Sequence, residues 1–335
     1  MRASPTCGAR KLTVTTDIRW CNITQSGVLR FDGSDAQSFL QGQLTNNINA
    51  LTATRSQYAG YCTPKGRLLA SLLLWQSDGA FHLMLPRALC EPVKKRLSMY
   101  ILRAKVKAAD ISNERVLLGV TGAGAAAWVA DVAGAAPMNV HDALHTDGVS
   151  VLNLPTQRFL IVTTLTQAPR IEAALAAATA PSPATLWDAL DIEAGIACVV
   201  AATQEQFVPQ TVNYDLINAV SFDKGCYPGQ EIVARMHYLG RVKQRMVRAR
   251  LRTTEAPQPG DKLYAAPNRN PGNPGNHGDY GDQASGMIVS ACAVDTNAYD
   301  VLAVVQTSSL ENFAVHWRAP DGPALEMLPL PYAVK

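Results

Sequence analysis

Lys224-Gly225-Cys226-Tyr227-Pro228-Gly229-Gln230-Glu231 packs a lysine, a cysteine, two glycines and a carboxylate into eight positions. It follows the apolar run Ala219-Val220-Ser221-Phe222 and precedes Ile232-Val233-Ala234-Arg235-Met236, which can continue as a helix. Gly225 and Gly229 permit backbone shapes that other residues resist. Pro228 suits the opening turn of a helix, where its missing N–H is not needed. Glu231 and Arg235 then stand one helical turn apart and can pair. Cys226 falls just ahead of a helix N-terminus and two residues from Lys224, and both neighbours favour the thiolate. A lone cysteine is also commonly a small buried hydrophobe, and glycine with proline is ordinary punctuation before a helix. The residues alone leave a reactive and a structural cysteine both open.

The chain of 335 residues is too long for one ordinary core and suggests two or three domains. A net charge of +3 gives no general nucleic-acid footprint. The basic run Arg241–Arg248 continues into an alternation of Val247, Ala249 and Leu251 with Arg248, Arg250 and Arg252, which reads as a half-exposed strand. The seven cysteines are scattered without a C-x-x-C pair, which fits a reducing cytosol and argues against a resident zinc or cluster site. Residues 1–16 read as a flexible tail without a secretory signal. No run approaches the ~20 apolar residues of a membrane span.

Upstream, Gly27–Asp32 reads as a strand, and Ser34-Asp35-Ala36-Gln37 has the form of a capping box opening a helix. Strands are expected at 58–74, on either side of the turn Thr63–Arg67, and at 80–85. A helix follows over 86–102 and a strand over 104–109. The strand Val116–Val120 leads into Gly122-Ala123-Gly124-Ala125-Ala126-Ala127, with Asp142 about 20 residues on. This spells a dinucleotide fingerprint, but without a βαβ repeat, close helix packing explains the small residues better. A hairpin is expected over 149–164 and a helix over 170–178. Trp187, Leu190 and Glu193 are read as one face of a helix ended by Gly195. An aromatic and a carboxylate on one face suit a pterin, by stacking and by accepting hydrogen bonds from its amino-pyrimidinone edge. Past Arg241 short strands with turn residues between them suggest a small β-barrel. It is interrupted at 266–283 by a Pro/Gly/Asn-rich stretch that reads as a disordered loop in which His277 is solvated.

K-G-C-Y-P-G-Q-E, with G-S-D-A-Q-S-F-L-Q-G-Q-L-T-N at 33–46, D-I-E-A-G at 191–195, F-V-P-Q-T-V-N at 207–213 and L-P-L-P-Y at 328–332, resembles the YgfZ family. These are folate-binding proteins related to the glycine-cleavage T-protein, an aminomethyltransferase. The resemblance covers about residues 18 to 335. It implies an α+β fold: a T-protein-like multidomain ring with ferredoxin-like portions and a C-terminal β-barrel. The segments expected are 17–48 with 113–240 as a folate-binding α+β domain, 49–112 as an inserted α+β domain, and 241–335 as the barrel. It implies tetrahydrofolate or a derivative as ligand, with Trp187, Glu193, Asn213, Gln230, Glu231 and Arg235 as binding residues. Gln41, Gln43, Thr45 and Asn46 are candidates for the pocket. Cys226 is implied as a reactive thiol and Lys224 as the group lowering its pKa. No metal site is expected.

The partners implied are folate and iron–sulfur client or assembly proteins, tRNA-modifying enzymes among the clients, in the cytoplasm. No direct nucleic acid and no membrane are expected. The alternative is a tetrahydrofolate-dependent aminomethyltransferase. Against it, the T-protein's Asp-Asp pair falls at Ala70-Ser71 here, and no carboxylate lies between Arg55 and Trp75.

Overall fold

The structure is a computed structural model that describes residues 17–240, 242–267 and 284–334. The expected tail at 1–16, Arg241 and most of the expected loop, with His277, lie outside the described residues. The chain opens with β1 (Arg19–Asn22), β2 (Ser26–Asp32), α1 (Ala36–Gln41), β3 (Ser56–Cys62), β4 (Leu68–Ser77), β5 (Ala80–Pro86), α2 (Arg87–Ser98) and β6 (Lys107–Asp110). It continues with β7 (Arg115–Thr121), α3 (Ala125–Ala133), β8 (Ala143–Thr146), β9 (Val149–Leu154), β10 (Arg158–Thr164) and α4 (Ala168–Ala178). Then come α5 (Thr185–Glu193), α6 (Gln230–Tyr238), β11 (Gln244–Arg252), β12 (Lys262–Pro267), β13 (Ala284–Asp295), β14 (Ala298–Gln306), α7 (Thr307–Asn312), β15 (Phe313–Trp317) and β16 (Leu325–Leu328).

Two five-stranded sheets share one plan. Their orders are β3-β4-β5-β2-β6 and β8-β9-β10-β7-β1. In each, a strand and a short helix lead to three consecutive strands and a second helix. The outermost partner of the first strand is β6 in one sheet and the N-terminal β1 in the other. The two copies even share a packing detail. Gly33 after β2 (φ +117°) and Gly122 after β7 (φ +114°) each bring the backbone so close to the neighbouring segment that a Cβ would stand 2.1 Å from a carbonyl oxygen, of Lys105 and Asp17 respectively. Only glycine fits there. The small residues at 122–127 thus serve close packing, and Asp142 pairs with Arg55 at 2.6 Å. The hairpins β4–β5 and β9–β10 turn through Asp78-Gly79 (φ +51° and +71°) and Thr156-Gln157 (φ +67° and +53°), the left-handed pairs that match strand twist.

The sheets meet at their β3 and β8 edges. The N–H of Ser56 donates to the His141 carbonyl (2.7 Å) and that of Ala143 to Thr54 (2.8 Å). Since β2 hydrogen-bonds to β5 and β6, the first sheet spans the boundary expected at 48/49. The third sheet, β15-β12-β13-β14-β11-β16, curls into a half-barrel whose ends approach through the bridge between His316 and Ala324. On β11, Ala249 and Leu251 are buried while Arg248 and Arg250 both pair with Asp300 (3.1 and 2.7 Å) and Arg252 with Glu326 (2.7 Å). That is the half-exposed strand the alternation anticipates. The fold class follows the expectation from sequence, α+β with a barrel-like C-terminal part.

Several local expectations need correction. The capping box at Ser34–Gln37 does not form: Asp35 is the N-cap without a side-chain cap, and its carboxylate instead accepts the Lys105 N–H at 2.7 Å. The helix expected over 86–102 stops at Ser98, beyond which Tyr100 is exposed. Pro228 precedes the N-cap Gly229 of α6 and so lies outside its first turn. Ala266 and Pro267, expected in the loop, belong to β12. Among the described residues no helix is long and apolar enough to cross a membrane.

His82 on β5 gives the fold a pH dependence. It is buried, stacked on Trp75 with ring centroids 5.3 Å apart. Burial, then the charges of Arg115 and Arg30, pull its pKa down from 6.5 to about 4. The unfolded chain therefore binds the extra proton first, and stability is lost as pH falls from 6.5 toward 4. The loss attributable to His82 is at most about 3 kcal/mol. Urea unfolding at pH 7.5 and 4.5 should show this decline, and His82→Phe should make it shallower by His82's share, leaving that of His141, whose pKa burial and the Arg55 charge lower to about 4 as well; an equally steep decline in the variant would place the proton elsewhere.

Candidate functional site

A mostly apolar cavity opens where the first two sheets meet α5. Leu72, Leu73, Met84, Leu85 and Leu154 supply its apolar lining. Its polar groups are few: Ser26, Tyr58, Ser71, Trp187, Asp191 and Tyr214. A flat ligand with apolar faces and one hydrogen-bonding edge suits such a lining. A wider cleft adjoins it, since Tyr58 and Ile196 line both.

The floor is built on Arg158 of β10, which is fully buried. Its guanidinium donates to Asp191 Oδ1 at 2.6 Å and to the Trp187 carbonyl at 3.5 Å, and lies 4.3 Å from the centroid of the Trp187 ring. Its charge also acts on the buried phenol of Tyr58. Burial pushes the Asp191 carboxyl above the usual carboxylate range, with the guanidinium pulling against it. The same burial raises the Tyr58 phenol. Trp187 is seated on Gly119 of β7, where a Cβ would stand 2.5 Å from the indole. With Arg158 over its ring and only 4% of its surface exposed, Trp187 meets the cavity as a fixed wall rather than as a free stacking platform.

The Lys224–Glu231 loop lies apart from this cavity. Lys224 is buried, and its Nζ donates to the carbonyls of Gln41, Leu44 and Asn46 at 2.5, 2.5 and 3.0 Å. Burial pulls its pKa down to about 8, which keeps it an ammonium at neutral pH with three N–H groups for three acceptors. This corrects the expectation that Lys224 serves Cys226: its charge is committed to the segment after α1. Tyr227 packs beneath it, with Nζ 5.1 Å from the ring centroid. Gly229 (φ +84°) sits against Gly66 of the β3–β4 turn, where a Cβ would stand 2.6 Å from the Gly66 backbone. Cys226 itself is exposed, and the other described cysteines are buried or half-buried. It lines neither the cavity nor the cleft.

The other expected residues divide. Glu231 and Arg235 form the anticipated pair at 3.0 Å on an exposed helix face. Gln230 donates to the Lys224 carbonyl at 3.4 Å. Neither these three nor Glu193 lines the cavity or the cleft, and Glu193 is exposed. Asn213 is fully buried in a left-handed conformation, donating to the Met246 carbonyl at 2.8 Å and to Tyr332 Oη at 3.4 Å. Asn46 lines the cleft, while Thr45 bonds Ala219 and Gly60, and the Gln41 side chain accepts the Ile48 N–H. Asp191, Tyr58 and Arg158 were not singled out from the sequence. Helix geometry carried a signal for the first. At about 100° per residue, Asp191 lies about 40° around the helix from Trp187, whereas Glu193 lies about 120° away. Among the described residues no group of three or more His, Cys, Asp or Glu is placed to hold a metal ion.

No protein-family model matches the chain. It is 29% identical over 309 residues to the tRNA-modifying protein YgfZ of Sodalis glossinidius (strain morsitans), covering 92% of this chain and 90% of that protein. Its fold is similar to the crystal structure of the glycine cleavage system aminomethyltransferase T from Bartonella henselae, with a TM-score of 0.71 over 94% of this chain and 86% of that one, at 17% identity. The first bears out the resemblance read from K-G-C-Y-P-G-Q-E, and the second bears out the T-protein-like fold.

The two roles of the loop separate by mutation. Lys224→Met leaves three carbonyls without their donor and should cost about 3 kcal/mol in urea unfolding. Cys226→Ser, at an exposed position, should stay within about 0.5 kcal/mol of the parent. A neutral Lys224→Met would remove the stapling role.

Proposed function

We propose, from a YgfZ-like chain on an aminomethyltransferase-like fold, that the cavity binds the pterin head of tetrahydrofolate or a derivative. We further infer that the protein assists assembly or repair of iron–sulfur clusters in cytoplasmic client enzymes, tRNA-modifying ones among them, through Cys226. The observation that carries the ligand reading is the meeting of Trp187, Tyr58 and Asp191 in one mostly apolar cavity. Asp191 supplies acceptors for the amino and N–H donors of a pterin edge. Its carboxylate offers about four lone-pair sites, and Arg158 occupies Oδ1. Tyr58 and Trp187 bound the slot, and the leucines of β4 and β5 exclude water from its faces. Tetrahydrofolate, when bound, is a carrier of one-carbon units.

Aminomethyl transfer needs a carboxylate placed to manage the proton at the folate nitrogen. Here β4 presents Ser71 to the cavity, and its Oγ already accepts the Val199 N–H at 2.9 Å. This favours binding without that transfer. Cys226, exposed on a loop fixed by Lys224 and Gly229, offers a sulfur to the iron of a client's cluster, which is cargo and not a resident group.

Titration with tetrahydrofolate tests the assignment. Asp191→Asn should weaken binding about tenfold or more, because a carboxylate acceptor is replaced by a mixed amide. Glu193→Gln, outside the cavity, should leave affinity within about twofold of the parent. The reverse ranking would return the pterin edge to Glu193, and no binding to the parent at millimolar ligand would end the folate reading. In cells, Cys226→Ala should abolish support of cluster-dependent enzymes while thermal midpoint and folate affinity stay unchanged; full support by the variant would acquit the thiol.

A further inference from the structure

The sheet face that supplies Leu73 and Met84 to the apolar cavity changes character further along β4 and β5. Side chains two apart share a face of a strand, so Leu73 and Met84 are followed by the register partners Trp75 and His82, and then by Ser77. The second sheet contributes His145 with its register partner Ser150, and Arg115 at the start of β7. These side chains line one separate, polar cavity together with Asp78 and Asp147. Both aspartates are exposed and stand in the left-handed Asp-Gly turns of the β4–β5 and β8–β9 hairpins, with φ +51° and +43°. The cavity walls are tied internally: His145 Nδ1 bonds Ser150 Oγ at 2.8 Å and His82 Nδ1 bonds Ser77 Oγ at 3.4 Å.

Arg115 is half-buried and gives Nη1 to the Glu114 carbonyl at 3.1 Å, and no carboxylate of the described residues pairs with its guanidinium. Yet carboxylates line the same space. The charge of Asp78 acts on both His82 and His145, and that of Arg115 acts on His82. Burial, ahead of these charges, holds both imidazoles below their usual pKa of 6.5, His82 at about 4, so both are neutral near pH 7. The cavity thus offers one fixed positive charge and two fixed negative ones that do not meet, with neutral donors and acceptors between them. An anion would face two carboxylates, and a simple cation would face the guanidinium. Among the described residues no group of three or more His, Cys, Asp or Glu is placed to hold a metal ion. A molecule that carries both signs satisfies both ends, and convergent polar groups in a concave site are what fix such a ligand.

We propose that this polar cavity binds a small zwitterion of the α-amino acid class, with its carboxylate on Arg115 and its ammonium toward Asp78 and Asp147. Arg115 supplies a planar fork of donors that matches a carboxylate. The site depends neither on the folate reading nor on Cys226.

Calorimetric titration of the full-length protein at constant ionic strength tests this with L-alanine, and with acetate and methylamine as its two charged halves. The parent should bind L-alanine saturably and about tenfold or more tighter than either half. Arg115→Gln and Asp78→Asn should each weaken L-alanine about tenfold. Arg115→Lys, which keeps the charge and loses the planar fork, should recover part of the loss. Arg103→Gln, the same change of charge at an exposed position outside the cavity, should bind as the parent does. The proposal falls if the parent shows no saturable binding at about 50 mM L-alanine, or if Arg115→Gln and Asp78→Asn both bind it like the parent. Acetate bound as tightly as L-alanine, and tighter still by Asp78→Asn, would make this an anion site. Methylamine bound as tightly as L-alanine would make it a cation site. Either result overturns the zwitterion assignment.

Discussion

A single buried guanidinium ties the molecule together. Arg158 belongs to the second sheet, pairs with Asp191 of α5, covers the ring of Trp187 and reaches Tyr58 of the first sheet. Removing a charge of this size from water is expensive, and the ion pair offsets that cost only in part, since the buried Arg158 Nε has no hydrogen-bond partner. The pair therefore specifies a geometry more than it adds stability: the two sheets and the helix between them can be assembled in one relation only. The cavity is what that relation leaves over. Three of its polar residues, Tyr58, Trp187 and Asp191, are ones the guanidinium organises, so that side of the site is held by the joint.

The repeated plan of the two sheets explains where that joint falls. Each copy is a five-stranded sheet whose apolar face needs cover. The largest core cluster draws residues from both, from α5 and from the half-barrel, among them Trp75, Leu154, Trp187 and Met246. The matching glycines at 33 and 122 hold each copy's first strand to its outer partner. The copies are held edge to edge by the Arg55–Asp142 region, so the cleft opens along a seam between repeats. Ligand sites commonly sit at such seams, where side chains from separate units converge.

Much of the fold was legible in the sequence, because its signals are local. Alternation marked the strands of the half-barrel, and the turn residues at 63–67 marked a hairpin. The duplication was not legible: the two copies agree in topology and in one glycine each, and topology leaves no periodic trace in residue types. The site was half legible. Gly229 and the Glu231–Arg235 pair behave as their residue types and spacing suggested. Lys224 does not, because nearness in sequence to Cys226 says nothing about where a four-carbon stem points, and three carbonyls after α1 compete for its charge. Arg158 and Tyr58 stand far apart in sequence and carry no shared motif, so only the tertiary arrangement brings them together. Asp191 was within reach of helical arithmetic.

The residues Pro331 and Tyr332 form part of the cleft wall opposite the strand that carries Gln57 and Tyr58. The Tyr332 hydroxyl donates to the Gly195 carbonyl at 2.7 Å, and its ring packs where any larger residue than glycine would stand. The two walls are thus drawn from segments far apart in the chain. During synthesis the ribosome releases the early wall long before the late one, so a nascent chain has no enclosed cleft. Enclosure of the cleft thus waits on the synthesis of Tyr332.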